Sequence, residues 1–68
     1  MDWAAVVGQN VRKRRQVLGL SQEQLAHDAD VTMRYLGAIE RGQQNPSLAL
    51  LVRIATALQC SPVDLFSS

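Results

Sequence analysis

A chain of 68 residues has room for one domain, and folding buries roughly 60% of the surface that the unfolded chain exposes. With 47% hydrophobic residues, a single cysteine and a formal charge of +1, it offers a modest core, no internal disulfide and no strong net field toward any partner. No apolar run approaches the ~18 residues of a membrane span and no charged-then-apolar leader opens the chain, so a soluble, cytoplasmic, unexported protein with no membrane partner is expected.

In chain order, the first pattern runs from Trp3 to Leu18, where Val7, Val11, Arg15 and Leu18 fall on one helical face and Gly19 supplies a C-terminal cap. Ser21 with Gln24 makes a capping box and Leu20 with Leu25 the apolar staple around it, which starts a second helix at Ser21. That helix has to turn at Asp30, a residue that tolerates left-handed backbone better than most. Thr32 repeats the start signal, with Val31 stapled to Leu36, and the third helix ends at Gly42 after Leu36 and Ile39 have faced inward. Pro46 disfavours helix at Asn45, Ser47 caps a fourth helix with the stripe Leu48, Leu51, Ile54, Ala55 and Leu58, and Ser61, Pro62 and Asp64 signal a fifth.

These signals predict an all-α fold of five short helices, in one domain spanning residues 1–68. The doubled start, over about residues 21–41, is a pair of helices of about eight residues joined by a turn too tight for an antiparallel hairpin. It reads as a helix-turn-helix, in which one helix braces the other and the second enters the major groove of double-stranded DNA. Four basic residues cluster as Arg12, Lys13, Arg14 and Arg15, either a solvated helix face or a local attraction for a polyanion. An enzyme is not expected: no nucleophile has an obvious base partner, no glycine loop cradles a phosphate, and no spacing suits a metal, a cofactor or a small-molecule substrate.

RxxR at Arg12 and Arg15, GLSQEQLA at Gly19 to Ala26, IERG at Ile39 to Gly42, NPSL at Asn45 to Leu48 and IATAL at Ile54 to Leu58 resemble the phage-repressor-like helix-turn-helix family, also called the xenobiotic-response-element type. The resemblance covers about Val7 to Phe66, and within the family it is most similar to single-domain regulators such as restriction-modification controllers. It implies a compact five-helix, lambda-repressor-like DNA-binding domain that acts as a homodimer on a two-fold operator to regulate transcription. The alternative is a protein-interaction module of antitoxin type. Two positions depart from the family pattern. The turn carries Asp30 where glycine is usual, and the base-reading positions of the third helix are Met33, Arg34, Gly37 and Ala38, which gives sparse polar readout.

Gln22 opens the second helix, where a free N–H and the helix dipole favour a phosphate, as the resemblance also implies. Arg34 opposes the dipole in the first turn of the third helix, so a functional reason for it is expected: a fork onto guanine or a phosphate clamp. Met33 suits a thymine methyl or is an ordinary surface methionine. The resemblance adds Thr32, Arg41, Gln43, Gln44 and Asn45 as contacts to the DNA backbone. Tyr35 either reaches a phosphate through its hydroxyl or covers the edge of the bundle. Arg15 lies on an apolar stripe and needs a partner, for which Glu40 is the best candidate; the resemblance implies the same ion pair. Val63, Leu65 and Phe66, with Arg53 of the fourth helix, are expected to build a two-fold interface, because one final turn cannot bury every apolar group alone. Cys60 is expected to pack rather than react, His27 to be solvated, and Trp3 to lie over the bundle or against a second subunit.

Overall fold

Asp2 sets the first helix: its carboxylate accepts the Ala5 N–H at 3.2 Å, and α1 runs from Trp3 to Val17. The computed structural model describes residues 1–67, in which α1 is followed by α2 (Gln22–Ala29), α3 (Met33–Glu40), α4 (Leu48–Ala57) and a 3-10 helix (Pro62–Phe66), with no strand among the described residues. Ser21, Thr32 and Ser47 cap α2, α3 and α4 by accepting the N–H groups of Gln24, Tyr35 and Leu50. At α2 the box is closed by the Ser21 N–H donating to Gln24 Oε1 at 2.8 Å. Each cap satisfies a donor that the helix itself leaves free.

The expected fifth α-helix is a 3-10 turn. Its five residues begin at Pro62 and are closed by a Ser61–Asp64 box, with the Asp64 N–H on the Ser61 carbonyl at 2.9 Å. So short a segment has no length over which i to i−4 bonds could repeat.

The core is a single cluster in which Val11, Leu25, Leu36, Ile39, Ile54, Leu58 and Leu65 are sealed from solvent. α1 packs on α3 and the 3-10 helix, α2 on α3 and α4, and α4 on the 3-10 helix. Each large aliphatic side chain buried here contributes about 1.5–3 kcal/mol. Two expected core residues lie outside it. Leu18 is 41% exposed because α1 stops at Val17 and the chain swings away through Gly19, leaving Leu20 to pack against the core. Leu48 is 72% exposed because the buried arc of α4 runs through Leu50, Leu51, Ile54, Ala55 and Leu58, and at 100° per residue Leu48 falls just beyond it.

Gly8 explains how closely α1 approaches α3. A Cβ at this position would meet the carbonyl oxygen of Ile39 and lie 2.9 Å from that of Glu40, so the absence of a side chain is what lets the two backbones touch. Asn10, two residues on, donates its amide to the carbonyls of Leu65 at 2.8 Å and Ser67 at 2.7 Å and holds the end of the chain against α1.

Candidate nucleic-acid interface

The turn between α2 and α3 depends on one residue in left-handed backbone, Asp30 at φ 58° and ψ 48°. The Val31 N–H then reaches the Ala26 carbonyl at 3.0 Å, and Val31 packs against the core that holds Leu36. α3 is thereby set across α2 with one face outward.

Beneath the pair lies a buried polar network. Arg15 Nε and Nη2 donate to Glu40 Oε2 at 2.7 Å and Oε1 at 3.1 Å, and Nη1 donates to the Leu20 carbonyl at 2.9 Å. The two side chains are 12% and 3% exposed, so the fork replaces most of the water that the two charges lose on folding. Glu40 Oε1 also accepts from Gln22 Nε2 at 3.0 Å. One carboxylate at the end of α3 therefore fixes α1 and the first residue of α2 together.

The outward face of α3 carries Met33, Arg34 and, at its C-terminal cap, Arg41, all exposed, with Ala38 half-buried beside them. Gly37, expected as a base contact, lies among them but is buried, with Arg41 and Gln22 lying across it. Having no side chain, it presents nothing outward. Gln22 is half-buried and already donates to Glu40, while the Thr32 hydroxyl accepts the Tyr35 N–H. Tyr35 is half-buried and packs against the core. Arg41 Nε donates to Gln43 Oε1 at 3.1 Å, and Gln44 and Asn45 extend this exposed rim.

The expected two-fold interface divides. Leu65 is fully buried in the chain's own core. Arg53 Nε donates to the Ala29 carbonyl at 3.0 Å, which gives this residue an intramolecular role at the end of α2. Val63 and Phe66 remain exposed, and Phe66 meets Trp3 with ring centroids 6.0 Å apart and planes tilted by 58°. Cys60 is half-buried against the core, and desolvation pushes its thiol pKa up, opposed by Arg14. No cluster of metal-ligating side chains occurs among the described residues. No described helix is long and apolar enough to cross a membrane.

Two residues that matter to this geometry carry faint sequence signals. Gly8 is an interior helix glycine on the inward face, and Asn10 is a polar residue three positions after Val7 on that side.

Comparison with known proteins gives consistent matches. The family model described as helix-turn-helix matches residues 11–65. An HTH-type transcriptional regulator of Sinorhizobium fredii is 37% identical over 65 residues, covering 96% of this chain and 84% of the relative. The control protein C.SmaI of Serratia marcescens is 39% identical over 61 residues, covering 90% and 73%. The crystal structure of the restriction-modification controller protein C.AhdI from Aeromonas hydrophila superposes with a TM-score of 0.89 at 43% identity, covering 93% of this chain and 96% of that one.

Proposed function

The chain belongs to the helix-turn-helix family of xenobiotic-response-element type, and from that premise we propose that it is a sequence-specific double-stranded DNA-binding transcriptional regulator, a single domain acting as a homodimer on a two-fold operator. The observation that carries this reading is the outward stripe of α3, where Met33, Arg34, Ala38 and Arg41 stand over a scaffold locked by Arg15 and Glu40. A rigid helix bearing cations and one apolar side chain fits a major groove, with α2 bracing it along the phosphate backbone. The names of the relatives point the same way: an HTH-type transcriptional regulator, a control protein and a restriction-modification controller protein.

In this reading Arg34 and Met33 meet base edges, and Gln22, Thr32, Tyr35, Arg41, Gln43, Gln44 and Asn45 follow the backbone. One domain makes few base contacts, so two copies on half-sites about 34 Å apart are the route to useful affinity. Selection of duplexes from a random pool tests it: an inverted repeat should be enriched, and a pool that stays random rejects the proposal. On the selected operator, Arg34→Ala should cost about 1–3 kcal/mol and flatten preference at one base pair. Gln22→Ala should weaken all duplexes by a similar factor. A uniform loss for Arg34→Ala would reassign Arg34 to phosphate.

A further inference from the structure

The α3 stripe has a gap in its middle. Positions 33, 37 and 41 lie one above another on the helix, and the central one is glycine. A Cβ at Gly37 would lie 3.2 Å from Arg41 Nη1, 3.8 Å from Gln22 Nε2 and 3.9 Å from Gln22 Oε1. The two side chains therefore lean into the space that a side chain at this position would fill. Both are tethered there from behind. Gln22 is held by Glu40, itself clamped by Arg15, and Arg41 is held through Nε by Gln43. The terminal nitrogens of Arg41 and the second N–H of Gln22 have no hydrogen-bond partner among the described residues.

We propose that Gly37 is a positioning residue: its missing side chain seats the Arg41 guanidinium against the Gln22 amide, and together they form one composite site for a single DNA backbone phosphate. This deepens, and rests on, the DNA-binding reading above. A cation and an amide N–H converging on one oxyanion give a stronger, more directional contact than either alone. Gly37 has no need to be glycine for the backbone itself. It is an interior helix position with no left-handed angle, where alanine favours the helix over glycine. Nor is backbone in the way, since the nearest obstacles are the ends of two flexible side chains.

These facts separate folding from binding. Gly37→Ala should melt at or above the wild-type temperature, because it replaces a poor helix former by a good one and meets only the end of Arg41 closely, whereas Gly37→Leu also moves Gln22 off Glu40 and should stay folded with a lower melting temperature. Both should nevertheless bind the selected operator more weakly, the leucine variant by roughly five- to tenfold and the alanine variant by less, uniformly across single-base variants. The leucine variant should also lower the magnitude of the salt slope by about one unit, as should Arg41→Ala, although it removes no charge. In a double-mutant cycle, Gly37→Leu should cost clearly less in the Arg41→Ala background than in the wild type, the remaining loss being that of Gln22, and should add nothing once Gln22 is also alanine. Arg41→Lys keeps the charge at an exposed site and tests the seat without altering position 37: it should retain the slope and lose part of the affinity. Additive losses, meaning that the introduced leucine meets DNA directly, would overturn the proposal, as would a loss confined to one base pair or unchanged binding by Gly37→Leu. If the wild-type chain itself binds no duplex above a scrambled control, the functional reading fails instead.

Discussion

Glu40 is the residue on which the scaffold turns. It is 7% exposed and accepts three hydrogen bonds, two from Arg15 and one from Gln22. Removing it strands a guanidinium that is 12% exposed, so Glu40→Ala should destabilise by about 3–5 kcal/mol in chemical denaturation. Arg15→Leu leaves the buried carboxylate with Gln22 alone and should cost a similar amount, and the double change less than the sum of the two. An additive cycle would refute the coupling. The pair was legible in the sequence because a charge on an apolar stripe demands a partner. The third member was not: Gln22 reads as an exposed first residue of a helix, and its link to Glu40 exists only because α2 crosses the end of α3.

Cys60 gives a pH-dependent outcome. Its thiol pKa is raised above 9.0, chiefly by desolvation, so the folded state holds the proton more tightly than the unfolded state does. That contribution is fully present below the thiol's ordinary pKa and is lost as pH rises through the higher folded value. Melting temperatures measured from pH 8 to pH 10.5 should fall more for the wild type than for Cys60→Ala. Equal slopes would rule it out.

At the scale of elements, the four α-helices end alike. Gly19, Asp30, Gly42 and Gln59 all have positive φ, and after each one the next N–H reaches five residues back, to Arg15, Ala26, Ala38 and Ala55. Glycine marked two of these ends and Asp30 a third, but Gln59 carried no signal, because its conformation is imposed by the packing of Leu58 and Cys60 on either side. Gln59→Gly should raise stability by up to about 1 kcal/mol, since the left-handed strain is removed and part of that gain is lost to unfolded-state entropy. Gly8 behaves in the opposite way. Alanine is the better helix former, yet a Cβ there meets carbonyls of Ile39 and Glu40, so Gly8→Ala should destabilise by about 1–3 kcal/mol or more. An unchanged melting temperature would mean that α1 and α3 can part without loss.

For the whole molecule, the 3-10 helix splits between inside and outside in a way that its sequence does not distinguish. Leu65 closes the core and Phe66 stays outside, so Leu65→Ala should lower monomer stability by about 2–5 kcal/mol. Val63→Glu and Phe66→Glu should leave the fold intact and weaken self-association, as read by sedimentation with and without operator DNA. Dimers unaffected by either change would place the two-fold contact elsewhere.

Helix order, the caps at Ser21, Thr32, Ser47 and Ser61, and the family itself were determined by the sequence alone, because each rests on residues within four positions of one another or on motif spacing along the chain. The tertiary structure decided what depends on residues far apart in sequence. It set the closeness of α1 to α3 at Gly8, the burial of Gly37 under Gln22 and Arg41, and the exposure of Leu18 and Leu48. It also sent Leu65 inward while leaving Phe66 out. The physical reason is that periodicity fixes which residues share a face, but only packing against a second element decides how far that face extends and where it ends.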